Sequence, residues 1–253
     1  MKIKGVFFDL YGTLYKYGNM PQAWNDWLST LYNNFKIFDK NLTEESLSIV
    51  CQGFFSKEKP SIDNSGLSIF ENRIKRLSEE LNYNIPINII RKTAEENLNA
   101  WQKHITLDEQ TIPILKYLKD QFTLGLISNF DHPIHVKKLI SKDGIDNYFS
   151  CVCISGEVGF KKPDKRIFEI ALHKTNLHPE KVIFVGDAND DIEGAKAAGI
   201  IPVFINRDLK SHEMLDYNKI EHKHKHIHNK ELITIGNLEE LKELIKEFDD
   251  EEK

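Results

Sequence analysis

The chain has 253 residues, 40% of them hydrophobic, enough for a full core and for one domain carrying an inserted subdomain. Lys and Arg number 34 against 39 Asp and Glu, a formal net charge of −5, so nothing in the balance points to a nucleic-acid surface. The cysteines, Cys51, Cys151 and Cys153, are too few and too unevenly spaced for a disulfide framework, and no apolar run approaches the ~20 residues of a membrane span.

The chain opens directly into Val6-Phe7-Phe8-Asp9, leaving no room for a signal peptide, so an intracellular, cytoplasmic protein without a membrane partner is expected. The apolar run is too short for a helix and predicts a strand buried on both faces. It ends in a carboxylate, followed by Gly12 and Thr13, which break the strand. Ligands bind at the carboxyl ends of strands in open α/β sheets, which places Asp9 where chemistry is expected; an Asp capping a turn is the plainer alternative.

After Thr13 the periodicity is helical for about ninety residues. Pro21 suits a first helical turn, and Trp24, Trp27, Leu28, Leu31, Tyr32 and Phe35 follow at three- and four-residue spacing. Thr43 is a predicted N-cap for a second helix bearing Leu47, Val50, Cys51 and Phe54. Leu67, Phe70, Ile74, Leu77 and Leu81 form the clearest stripe, and Ile87, Ile90, Ala94, Leu98 and Trp101 a fourth helix. A helical bundle over 16–105 is therefore predicted as an insertion into an α/β core made of 1–15 and 106–248, with 249–253 as an acidic tail that should fray.

The core resumes with a helix carrying Ile112, Leu115 and Leu118, then a strand from Phe122 to Ser128 that ends in Ser128-Asn129. A helix from Pro133 to Ser141 leads to a strand from Phe149 to Ile154, where Cys151 and Cys153 share one face; small buried hydrophobes are favoured over a metal or redox pair. Lys162 and Pro163 precede a helix from Asp164 to Lys174. A strand from Lys181 to Gly186 runs into Asp187, and a helix from Asp190 to Ala198 stops at Gly199. Ile201–Ile205 is a further strand, Ile233–Ile235 a short edge strand, and Leu238 to Phe248 a closing helix. Strands alternating with helices of this length imply a doubly wound parallel sheet. His222, His224, His226 and His228 alternate; they read as an exposed polar loop with adventitious metal affinity, or on a strand as four imidazoles inviting a transition metal.

Asp9 in Asp9-Leu10-Tyr11-Gly12-Thr13, then Ser128-Asn129, Lys162 before Pro163, and Gly186-Asp187 with Asp190 and Asp191 following, form an ordered set. Over 1–15 and roughly 108–206 the set resembles the haloacid dehalogenase-like hydrolase superfamily, subfamily I, with its Rossmann-like core and a helical cap that closes over the active site. The resemblance implies that Asp9 is the nucleophile and that Thr13, Ser128, Asn129 and Lys162 hold the substrate. It gives Asp187, supported by Asp191, to Mg²⁺, together with Asp9 and the backbone carbonyl of Tyr11. The expected reaction is hydrolysis of a small phosphorylated metabolite through an aspartyl-phosphate, with Lys162 neutralising charge. Each residue also has a plainer role: Thr13 ties down the turn, Ser128 and Asn129 cap, and Asp190 or Asp191 caps the next helix, which explains Asp190 well enough to leave it out of the site.

Tyr11 departs from the phosphatase pattern, which usually has a second Asp there to protonate the leaving group. The branch that cleaves L-2-haloacids through an aspartyl ester carries Tyr at this point, since halide leaves without a proton. That branch works without metal, lacks the Gly-Asp pair that stands here as Gly186-Asp187, and uses an arginine early in the cap, whereas the first arginine in this chain is Arg73. A catalytically idle binding protein is the remaining alternative, favoured by Tyr11 alone. The sequence thus predicts a Mg²⁺-dependent phosphatase.

Overall fold

The computed structural model describes residues 2–60, 66–207 and 232–250. The alternating histidines from His222 to His228 and tail residues 251–253 lie outside the described residues. The chain divides into two compact units, one formed by Met1–Lys16, Leu107–Asn129 and Ile140–Lys253, the other by Tyr17–Thr106 and Phe130–Leu139.

The first unit is an α/β layer structure. Strand β1 (Gly5–Phe8) is buried along its whole length, as an apolar run flanked by strands on both sides must be. Tyr15–Tyr17 (β2) and Ile105–Leu107 (β3), the segments where the chain leaves this unit and returns to it, pair as a two-stranded ribbon. Three residues each give too little alternation to be seen in sequence, so this ribbon was not among the predicted strands. Helix α5 (Thr111–Leu118) follows in this unit; the four helices that precede it in the chain belong to the second. Then come β4 (Thr123–Ser128), α6 (Pro133–Lys142, most of which falls in the second unit), β5 (Cys151–Ile154), the one-turn helix α7 (Ser155–Val158), α8 (Lys165–Thr175), β6 (Val182–Gly186), α9 (Asn189–Ala197), β7 (Ile201–Ile205), β8 (Ile233–Ile235) and α10 (Leu241–Asp250). Helix α10 thus runs through Asp249 and Asp250, into the segment expected to fray.

The six strands lie in the order β5-β4-β1-β6-β7-β8, and every pairing is parallel. This is the doubly wound sheet that the alternating pattern predicts. Helix α8 packs on β4 and β5, and α9 on β6 and β7. Phe7, Ile127, Cys151, Cys153, Ile167, Phe168 and Phe184 interdigitate in the resulting core. All three cysteines are free and buried. The sheet order puts β1 between β4 and β6, with Phe8 level with both Leu126 and Val185. Their carboxyl ends therefore open side by side, at the point where strand order reverses.

The second unit is helical: α1 (Met20–Phe35), α2 (Glu44–Val50), α3 (Ile69–Glu80) and α4 (Ile87–Gln102) surround Trp27, Leu31, Phe35, Leu47, Phe70, Ile74, Leu77 and Ile90. Thr43 and Ser68 cap α2 and α3, each with a reciprocal bond from the third helical residue. Helix α2 stops at Val50, earlier than its apolar pattern predicts, and Phe54 reaches the core from the following turns. Phe130–Leu139, assigned to the α/β core from sequence, clusters with the helical unit. The Arg73 Nε holds Asp131 at 3.0 Å and Lys138 pairs with Glu95 at 2.7 Å, contacts between residues far apart in the chain that periodicity does not reveal. No described helix is long and apolar enough to cross a membrane.

Candidate active site

Asp9, Tyr11, Thr13, Ser128, Asn129, Lys162, Asp187 and Asp191 all belong to the α/β unit. Asp9 extends β1 by one ladder bond, its N–H donating to Val185 O at 2.9 Å, so the carboxylate stands at the strand's carboxyl end and is 6% exposed. Asp187 follows β6 and Asp191 lies in the first turn of α9. One carboxylate oxygen from each of Asp9, Asp187 and Asp191 falls within 4.8 Å of the other two.

Lys162 is the counter-charge. Its Nζ bonds Asp9 Oδ1, stands 2.6 Å from Asp191 Oδ1 and donates to Ile127 O at 3.2 Å, while the side chain is buried. Burial alone would lower its pKa, but the charges of Asp191 and Asp9 outweigh it and hold the amine firmly protonated. Asn129 fixes this lysine from behind: its Oδ1 accepts from Lys162 N at 2.8 Å and its Nδ2 donates to Lys162 O at 3.0 Å. The Asn129 amide thus clamps the Lys162 backbone. Ser128 differs: its Oγ is buried and has no hydrogen-bond partner among the described residues, leaving a donor free for an arriving oxygen.

The turn after Asp9 is shaped by Asp187. Gly12 has φ +92°, and a Cβ there would collide with the Asp187 carboxylate, so only glycine fits on both counts. Gly186 is constrained by space alone, since a Cβ would strike Asp191. Thr13 Oγ1 donates to Asp187 Oδ1 at 3.3 Å, so its hydroxyl orients that carboxylate. Asp191 has two tasks: Oδ2 accepts from Ala188 N at 3.0 Å, capping α9, while Oδ1 faces Lys162. The capping role given to Asp190 from sequence thus falls to Asp191, and Asp190 is exposed.

Three clustered carboxylates against one ammonium leave the centre short of positive charge. Burial raises Asp9 to about 6 and Asp187 to about 8, with neighbouring carboxylates adding to both shifts. An all-oxygen donor set under this charge deficit fits a hard divalent cation of the Mg²⁺ type. Tyr11 lies beside this charge, 8% exposed, with its ring 6.1 Å from that of Tyr15. Burial and the Asp9 charge push its phenol well above the ordinary range.

Sequence reasoning missed Arg207 and Asp108. Arg207 follows β7, and its guanidinium bonds the carbonyls of Gly12 and Thr13 and, at 2.9 Å, Asp108 Oδ2. The available signal was its place just past the carboxyl end of a core strand.

A family model described as haloacid dehalogenase-like hydrolase matches residues 3–199. The chain belongs to this family. The glyceraldehyde 3-phosphate phosphatase of Methanothermobacter thermautotrophicus is 35% identical over 125 residues, 49% of this chain and 51% of that protein. At this level of identity the haloacid dehalogenase-like chain spans about half or less of the length of the curated relatives it matches. A phosphoglycolate phosphatase of Yersinia pestis is 27% identical over 78% of both chains. The crystal structure of a phosphatase of this family from Thermococcus onnurineus superposes with a TM-score of 0.66 at 19% identity, covering 96% of this chain and 98% of that one, which shows a shared fold.

Proposed function

We propose that this protein is a Mg²⁺-dependent phosphatase that hydrolyses a small phosphorylated metabolite through an aspartyl-phosphate on Asp9. The observation that carries the reading is the Asp9, Asp187 and Asp191 cluster closed by Lys162. The relatives named as phosphatases support it.

Asp9, Asp187 and the Tyr11 backbone carbonyl, with Asp191 in support, are the groups that would hold Mg²⁺. Bound there, the ion would offset the repulsion between the Asp9 carboxylate and an anionic phosphate. Lys162 keeps its proton and neutralises charge on both reacting groups. The unpartnered Ser128 hydroxyl supplies a donor for a phosphoryl oxygen. An Asp9 carboxylate oxygen attacks phosphorus, the ester P–O bond breaks, and the alcohol leaves once it gains a proton. Water then attacks the same phosphorus, the aspartyl P–O bond breaks, and inorganic phosphate departs with Asp9 regenerated.

A second reading, hydrolysis of a 2-haloacid, is favoured by Tyr11, because a halide leaving group needs no acid. The carboxylate cluster weighs against it, since chemistry without a metal gives no reason to gather three acids, two of them buried, beside one lysine. Phosphate release from a panel of phosphate monoesters, with and without Mg²⁺, tests the assignment. Asp9→Asn should lower turnover on the order of 10³-fold or more while the protein stays folded. Asp187→Asn should weaken both rate and Mg²⁺ dependence. Undiminished release by Asp9→Asn, or chloride release from L-2-chloropropionate in EDTA, would overturn the proposal.

A further inference from the structure

The turn from Leu10 to Tyr15 spends three of its N–H groups on its own carbonyls. Gly12 N donates to Tyr15 O at 2.7 Å, and Leu14 N and Tyr15 N both donate to Leu10 O at 2.9 Å. The carbonyls of Gly12 and Thr13 are taken by one group from another part of the sheet, the guanidinium of Arg207, Nη1 to Gly12 O and Nη2 to Thr13 O. The guanidinium is itself fixed, since Nε and Nη2 meet Asp108 Oδ2 at 2.9 and 2.8 Å, and Asp108 is 3% exposed. Asp108 is tied to the same turn, its N–H donating to Leu14 O at 2.9 Å. Arg207 stands beyond residues 3–199, the stretch matched by the family model.

A planar fork with charge-assisted bonds to two consecutive carbonyls fixes both peptide planes at once, which a flexible ammonium cannot do. Those planes carry the Thr13 hydroxyl, which bonds Asp187 at 3.3 Å, and Gly12, which the Asp187 carboxylate packs against. They also adjoin Tyr11, whose carbonyl is the proposed backbone contact of the metal.

We propose that Arg207 is a positioning residue for the Asp9 centre: anchored by Asp108, it sets the Gly12–Thr13 turn and through it the groups that hold Mg²⁺. The inference rests on the phosphatase reading above. Groups that orient metal ligands from outside the coordination shell are worth roughly 10–100-fold in metal affinity or rate, and that is the effect expected here.

The test uses the full chain with Arg207→Lys and Arg207→Gln. Three quantities are read: the thermal midpoint in EDTA, the Mg²⁺ dissociation constant by calorimetry, and kcat for p-nitrophenyl phosphate at saturating Mg²⁺. Folded variants should bind Mg²⁺ about 10–100-fold more weakly, with Arg207→Lys falling short of wild type because one ammonium cannot serve both carbonyls and Asp108. If Arg207→Gln fails to fold, Arg207→Lys decides alone. A merely structural role would lower the midpoint in EDTA and leave Mg²⁺ affinity and kcat within twofold of wild type, and that result overturns the inference while an active wild type keeps the phosphatase reading intact. Wild-type protein that neither binds Mg²⁺ nor releases phosphate would overturn both.

Discussion

Under the proposed phosphatase reading, Tyr11 stands where the resemblance implies the acid that protonates the leaving group, and its surroundings make it a poor acid. Burial and the nearby Asp9 charge drive its phenol further from neutral pH. General acid catalysis is typically worth 10²–10⁴-fold, about 3–5 kcal/mol of barrier. Its loss bears hardest on alkyl phosphates, whose alkoxides need a proton, and little on aryl or acyl phosphates, which leave as stable anions. The wild-type rate should therefore depend steeply on leaving-group pKa, and the dependence should flatten in Tyr11→Asp as alkyl phosphates gain most. The substitution also removes a ring packed near Tyr15, which costs stability, so the informative quantity is the alkyl-to-aryl rate ratio within each protein. A ratio unchanged by Tyr11→Asp would show that protonation comes from another group.

Elements bring the centre together by joining the ends of β1, β4 and β6 with the loop before α8. That loop carries Lys162 but owes its position to β4, because Asn129, just past the strand, bonds both the N–H and the C=O of Lys162. Such bonds are worth about 1 kcal/mol each, and the buried groups left behind cost more. Asn129→Ala should leave the fold intact and lower kcat about 10–100-fold with KM little changed, as expected when a group acting in the transition state is displaced. A rise in KM at unchanged kcat would instead assign Asn129 to substrate binding. Strands β1, β4 and β6 with their terminal residues were legible in sequence, because apolar runs buried on both faces are plain and each ends abruptly in polar groups. The clamp was not, because Asn129 and Lys162 lie 33 residues apart and nothing in either residue type announces a mutual bond. The same holds for Arg207, whose partners precede it by 99 to 195 residues.

At the scale of the whole molecule, periodicity separates helical from alternating segments but cannot show which surfaces meet. Phe130–Leu139 reads as core by chain order and clusters with the helical unit through side chains such as His132 and His135. His132 Nδ1 lies 2.6 Å from the Ser68 cap of α3, and His135 Nε2 lies 3.2 Å from Gln102 Oε1. Burial holds both below the ordinary imidazole range, His135 at about 4; its neighbours His132 and Lys138 add to the shift and Glu95 opposes it. A histidine depressed in the folded state is favoured neutral, and the unfolded chain binds the extra proton. His135 therefore contributes stability that is fully present above pH ~6.5 and is lost as pH falls from there toward about 4, on the order of 3 kcal/mol in all. All three tryptophans, Trp24, Trp27 and Trp101, lie in the helical unit, so their fluorescence reports its unfolding. The urea midpoint followed by tryptophan fluorescence should fall between pH 7 and pH 5 in the wild type. His135→Gln, which keeps an amide for the Gln102 bond and cannot titrate, should lose markedly less over the same interval. Equal losses in the two proteins would mean that the acid sensitivity of this unit resides in other groups.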